Sequence, residues 1–153
     1  MAPEQHLIID GPNVMHAWPE LRPLLRRERN TARERLISSA TSLHDAAGCR
    51  VTVVFDGRGS EVTVEHPAGQ ASFTVIFTSS GLTADDVIEQ MVGRARRPED
   101  CVVSTADIAE RSTVEALGAA VISPDELARR ISGAQERIRA VLTHAADCSR
   151  KRK

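Results

Sequence analysis

The chain has no tyrosine, one tryptophan and three phenylalanines, an aromatic content of 3% over 153 residues. Its core must therefore be mostly aliphatic, and a hydrophobic content of 41% fills one domain of this length with little left for a second. Cysteine is sparse too. Cys49, Cys101 and Cys148 are odd in number and widely spaced, with no Cys-x-x-Cys, which argues against a disulfide framework and against a zinc site; Cys101 opens an apolar run and reads as a small core residue. A net charge of −1 excludes a globally basic nucleic-acid binder, so any grip on a polyanion must be local. No apolar run approaches the ~20 residues of a membrane span, and the N-terminus has no signal-type stretch. No Walker or dinucleotide glycine pattern occurs. The expectation is a cytoplasmic protein with no membrane partner and no nucleotide cofactor.

What the chain does have is a set of aspartates, each placed just after an apolar β-type run: Leu7-Ile8-Ile9-Asp10, Val53-Val54-Phe55-Asp56 and Val102-Val103-Ser104-Thr105-Ala106-Asp107. A fourth acidic pair, Asp85-Asp86, opens an amphipathic helical segment. In an open α/β sheet the carboxyl ends of parallel strands face one crevice, so acids far apart in sequence can converge there. Any one such aspartate is adequately explained as a helix or turn cap. Several together point to a hard divalent cation.

The rest of the pattern supports alternating strands and helices. Gly11-Pro12 reads as a turn after the first strand, and Leu36, Ile37, Ala40, Leu43 and Ala47 mark a helix with Thr31 and Glu34 as a capping box and Gly48 as C-cap. A buried strand over 50–55 completes a βαβ unit. Residues 61–77 read as an antiparallel hairpin or strand pair beside the sheet. Thr83 and Asp86 repeat the capping-box spacing before Val87, Ile88, Met91 and Val92, a helix ended by Pro98. After a strand over 101–104, Val114 and Leu117 mark a helix closing at Gly118, followed by a short strand at 121–122. Ser123, Pro124 and Glu126 start a last helix bearing Leu127, Ile131, Ile138 and Leu142, with Gly133 as a candidate break. One domain over residues 1–148 and a basic disordered tail over 149–153 is the simplest division.

The opening stretch Asp10-Gly11-Pro12-Asn13-Val14-Met15-His16-Ala17-Trp18-Pro19 resembles the Asp-Gly-x-Asn-x-Ile/Met-x-x-Trp-Pro signature of YacP-like NYN-domain proteins, which belong to the PIN-like nucleases. The match continues in order through Val54-Phe55-Asp56, Thr83-Ala84-Asp85-Asp86, Ser104-Thr105-Ala106-Asp107 and Ser123-Pro124-Asp125-Glu126-Leu127, from about residue 6 to about residue 131. The resemblance implies a PIN-like (Rossmann-like) α/β sandwich with a central, mainly parallel sheet flanked by helices. It also implies a divalent-metal-dependent endoribonuclease, with Asp10, Asp85 and Asp107 as metal and catalytic candidates and Asp56 and Asp86 as supporting acids. Asn13 occupies the motif asparagine, where its amide can orient a carboxylate or a phosphate. Mg²⁺ or Mn²⁺ is the implied cofactor, and single-stranded or messenger RNA the implied substrate; a ribosome-bound message is a setting the resemblance leaves open. Two positions depart from the pattern. Ala106 stands where a hydroxyl often precedes the acid, and Pro12 where an aromatic is common.

Arg26, Arg27 and Arg29 follow the first site loop and are the candidate phosphate contacts. Trp18 is a candidate for stacking on a base, against the alternative of a core anchor that holds the loop. His16 reads as polar surface more readily than as a proton shuttle. The alternative to an endoribonuclease is a catalytically weak RNA- or ribosome-binding module of the same fold. A small-molecule phosphohydrolase would need an Asp-x-Asp nucleophile after the first strand, and Asp10-Gly11-Pro12 lacks it.

Overall fold

The computed structural model describes residues 5–151. Strands β1 (His6–Asp10), β2 (Arg50–Gly59), β3 (Thr63–Glu65), β4 (Phe73–Ser79), β5 (Cys101–Ser104) and β6 (Ala120–Ile122) form one sheet in the order β3-β4-β2-β1-β5-β6. Every neighbouring pair is parallel except β3 with β4. The helices are α1 (Gly11–Ala17), α2 (Arg29–Ala47), α3 (Ala84–Arg94), α4 (Ile108–Ala116) and α5 (Pro124–Lys151). This is a mostly parallel sheet flanked by helices, the Rossmann-like arrangement of PIN-like domains.

The apolar runs explain both layers. In β1, Leu7 and Ile9 join one core cluster and Ile8 the other; in β2, Val51, Val53 and Phe55 point one way and Val54 the other. That is the period of two of a strand buried on both faces. The first cluster takes Leu36, Ala40 and Leu43 of α2 with Leu127, Ile131 and Ala134 of α5, and the second takes Ile88 and Val92 of α3 with Val114 of α4. Each fully buried Leu, Ile, Val or Phe contributes roughly 1.5–3 kcal/mol of transfer free energy. Cys101 is buried in the second cluster.

Several local expectations change in three dimensions. Gly11-Pro12 does not turn the chain but starts α1, with proline in the first helical turn, where its missing N–H costs nothing. Helix α2 begins at Arg29, before Thr31, so the capping box expected from Thr31 and Glu34 does not form; Gly48 does end it, in the left-handed conformation at φ 67°. The box at Thr83 and Asp86 forms with both reciprocal bonds. Helix α3 ends at Arg94, ahead of Pro98. Gly133 lies inside an unbroken α5, which continues through 149–151 where a disordered tail was expected; 152–153 lie outside the described residues. Leu142, expected on the core face, is 64% exposed because α5 outruns the body beneath it. No helix among the described residues is long and apolar enough to cross a membrane.

Candidate metal centre and arginine groove

Strand β1 pairs with β2 on one side and β5 on the other, so the direction of winding reverses around it. The crevice outside the carboxyl ends of strands at such a reversal is the general ligand position of open α/β sheets. Here it is a cavity of about 310 Å³ lined by Asp10, Pro12, Asn13, His16, Asp56, Thr83, Ala84, Asp85 and Asp107. Asp10 ends β1, and Asp85 lies in the first turn of α3.

The tightest acidic cluster has a different third member from the one expected. Carboxylate oxygens of Asp10, Asp85 and Glu110 lie within 4.8 Å of one another. Asp107 instead caps α4: its Oδ1 accepts the N–H groups of Ala109, at 2.9 Å, and of Glu110, at 3.1 Å. Asp56 reaches the first turn of α3 from β2, its Oδ1 accepting the Ala84 N–H at 2.8 Å beyond the cap that Thr83 provides. Both keep their places in the crevice wall, and neither uses Oδ2 in a hydrogen bond among the described residues. Asp86 is spent on the capping box, where its Oδ2 accepts the Thr83 N–H at 3.1 Å, and is exposed outside the crevice lining; the supporting role expected for it does not fit that position.

Glu110 is the residue that sequence reading missed. It sits three positions after the Asp107 cap, in the first turn of α4, and resembles an ordinary helix-start acid. Its position is anything but ordinary, with 1% of its surface exposed. Oε2 accepts the Thr105 hydroxyl at 2.8 Å, and Oε1 is buried with no partner. A hydroxyl has one proton, and the shorter contact to Glu110 takes it, ahead of Asp10 Oδ2 at 3.4 Å. The Thr105 oxygen in turn accepts the Asp107 N–H at 3.1 Å. The hydroxyl that Ala106 lacks is thus present one residue earlier. Asn13 completes the frame, its side-chain Oδ1 accepting the Ala106 N–H at 2.7 Å while its backbone N–H donates to Asp10 Oδ1 at 3.3 Å. It therefore ties α1 to the β5–α4 loop and orients Asp10.

The electrostatics match the geometry. Burial pushes the Asp10 carboxyl above its ordinary range, and the charge of Asp85 adds to the effect. Burial and the neighbouring Asp10 and Asp85 carboxyls push Glu110 up to about 10. Without a cation, the cluster must hold protons. A buried carboxylate with one oxygen lacking a donor, clustered with two other acids, fits a hard divalent cation, because such ions take all-oxygen anionic ligand sets.

A second, larger cavity of about 730 Å³ adjoins the first and shares Asp56 with it. Its lining includes Arg26, Arg27, Arg29, Arg33 and Arg58, with Asp56 and Glu61 its acids. The three expected phosphate contacts all fall in this groove. Trp18 does not: it is 5% exposed and its indole N–H donates to the Pro124 carbonyl at 2.9 Å, which makes it the anchor between α1 and α5 and removes it as a stacking surface. His16 lies exposed on the crevice rim.

A mainly parallel sheet with convergent acids at its winding reversal defines the class, a Rossmann-like α/β domain with a candidate metal centre. The chain belongs to the YacP-like NYN domain family, whose profile matches residues 7–153. A Bacillus subtilis (strain 168) protein described as uncharacterized protein YacP is 32% identical over 133 residues, 86% of this chain and 78% of that one. The crystal structure of Rae1 (YacP) from Bacillus subtilis is similar at a TM-score of 0.77 and 28% identity, covering 96% of this chain and 84% of that chain. A point mutant of the same protein gives a TM-score of 0.75, also at 28% identity, over 94% of this chain and 84% of that chain.

Proposed function

We propose that the protein is a divalent-metal-dependent endoribonuclease that hydrolyses RNA phosphodiesters at the Asp10–Asp85–Glu110 cluster. The observation that carries this reading is the buried cluster in which Glu110 has a carboxylate oxygen within 4.8 Å of those of Asp10 and Asp85 while its Oε1 has no hydrogen-bond partner. Three acids packed this closely are costly to ionise together, and a resident cation removes that cost. A bound Mg²⁺ or Mn²⁺ would neutralise the phosphate and lower the pKa of a water.

The protein's own part is positional. Asp10, Asp85 and Glu110 would hold the ion, with Thr105 orienting Glu110 and Asn13 orienting Asp10. Asp56 and Asp107, each with Oδ2 turned to no protein partner, are placed to accept hydrogen bonds from water in the crevice. Thr105 also weakens the case for a catalytically impaired binding module, since the hydroxyl missing at Ala106 stands beside the acids already.

The test is cleavage of labelled RNA, structured and unstructured, with Mg²⁺, Mn²⁺ or EDTA. Activity that requires the metal and is lost in Glu110→Gln supports the assignment. A protein inactive with both metals on both RNAs would refute it.

A further inference from the structure

The acids account for the chemistry but not for how an RNA strand would be held, and the larger cavity has no role in the cluster itself. Its arginines are set apart by their place beside the acidic crevice. Arg97, Arg111, Arg129 and Arg130 all pair with nearby glutamates or aspartates. Among the described residues, Arg26, Arg27, Arg29, Arg33 and Arg58 form no ion pair, as is also true of Arg50, Arg94 and Arg96 elsewhere, but these five gather in the groove that shares a wall with the acidic crevice. An unpaired cation cluster with a shared wall to an acidic crevice is complementary to a polyanion whose scissile point lies in that crevice.

Two features make the groove more than a charged surface. Arg33 is fixed: its guanidinium lies 5.6 Å from the ring centroid of Phe77 and 5.8 Å from that of Phe55, and Nη2 donates to the Asp56 carbonyl at 3.1 Å. Its Nε is buried without a partner. Nη1 also donates to Asn30 Oδ1 at 3.3 Å, so stacking and these two bonds fix the guanidinium plane and leave one N–H on each Nη for a phosphate. The second feature is a bulge in β2. The register runs Phe55 with Phe77 and then Gly59 with Ser79, so residues 56–58 stand opposite Thr78 alone. Gly57 packs so closely on β4 that a Cβ would fall 1.9 Å from the Thr78 carbonyl oxygen, while its N–H donates to the Thr78 hydroxyl at 3.1 Å. Bulges of this kind re-aim the side chains beside them. Here Asp56 is placed on the wall shared by both cavities and Arg58 in the groove.

The geometry points to this groove as the track that binds the backbone phosphates of the RNA strand to one side of the cleaved bond, with Arg33 as the fixed contact and Arg58 as the contact delivered by the bulge. The inference rests on the endoribonuclease reading for the identity of the strand. Burial together with the positive charges of Arg29 and Arg58 holds the Arg33 guanidinium below its ordinary range, a crowding that a bound anion relieves.

The experiment measures binding of a short fluorescent single-stranded RNA by anisotropy over a salt series, in an Asp85→Asn background so that the RNA stays intact. Arg58→Ala, at an exposed position, and Arg26→Ala combined with it should weaken binding at low salt, on the order of tenfold for the pair, and reduce the salt slope by about 0.7 for each phosphate that is no longer neutralised. Arg33→Ala should act in the same direction. Arg130→Ala on α5 removes the same charge elsewhere and should change little. Unchanged affinity and slope in the groove variants, or an equal loss in Arg130→Ala, would overturn the proposal. Cleavage by the unsubstituted protein is assayed in parallel. Groove variants that lose RNA binding while the parent fails to cleave retain the track and refute the nuclease reading; normal binding in those variants beside an active parent does the reverse.

Discussion

Two like-charged clusters meet at Asp56: three carboxylates within 4.8 Å of one another on one side, and five arginines without carboxylate partners on the other. They differ in how the fold holds them. Asp10 and Glu110 are buried and are fixed by Thr105, Asn13 and the first turns of helices, whereas the arginines, except Arg33, reach their groove as exposed side chains. The difference matters because desolvation multiplies the cost of like charge. Buried acids this close either hold protons or hold a cation, while exposed arginines keep their charge at little cost in water. The crevice therefore has the arrangement to coordinate a divalent ion, and the groove gains its meaning from adjacency and from the stacked, fixed Arg33.

The largest test of this contrast is chemical. Asp10→Asn and Asp85→Asn should each lower RNA cleavage roughly 10²-fold or more, by analogy with removal of one catalytic electrostatic partner, while circular dichroism reports an intact fold. RNA affinity should survive in both, because the groove carries it. Wild-type cleavage in either variant would separate the acids from the chemistry.

A second test uses pH. The Glu110 carboxyl is raised to about 10 in the folded protein, so without metal its contribution to stability is fully present below the ordinary glutamate range near pH 4.5 and is lost as the pH rises toward 10. Thermal melts of the metal-free protein should fall across that window, and Mn²⁺ should raise the melting temperature most at its upper end. In Glu110→Gln both the Glu110 part of the pH dependence and the metal response should shrink. Equal melting temperatures with and without Mn²⁺ at pH 8 would argue against an ion at the cluster.

The bulge gives a smaller effect on the opposite half. Gly57→Ala forces a Cβ to within 1.9 Å of a carbonyl oxygen unless the backbone shifts, which should cost about 1–3 kcal/mol in urea denaturation and weaken RNA binding as Arg58 moves. Stability and affinity unaffected together would mean the bulge does not aim Arg58. The smallest expected effect is Trp18→Phe, which loses one buried hydrogen bond, about 1 kcal/mol, and should leave RNA binding unchanged. Reduced RNA affinity in a variant of normal stability would return Trp18 to the RNA interface.

Much of this architecture follows from the sequence alone. The apolar runs ending in Asp10, Asp56 and Asp107 have the length and β-branched content of buried parallel strands, and a parallel sheet sends their carboxyl ends to the same side, so these acids and Asp85 share one crevice before any distance is known. The box at Thr83 and Asp86, the cap at Gly48 and the start at Pro124 were legible because each is a contact between residues a few positions apart. Only the tertiary structure decided which acids are tightly clustered. Asp107 and Glu110 are equally plausible helix-start acids in sequence, and the local hydrogen bonds of the cap use Asp107, while packing of α4 against the sheet buries Glu110 beside Asp10. A spacing of acid, two residues, acid after a strand was the one signal present, but it also describes an ordinary first turn. Trp18 and the groove arginines depended on long-range contacts in the same way: Trp18 is removed from solvent by a carbonyl 106 residues distant, and Arg33 is fixed by rings on β2 and β4. Local preferences are written in neighbouring residues, whereas burial is set by whatever the fold brings from elsewhere, and burial is what turns an acid into a metal ligand candidate.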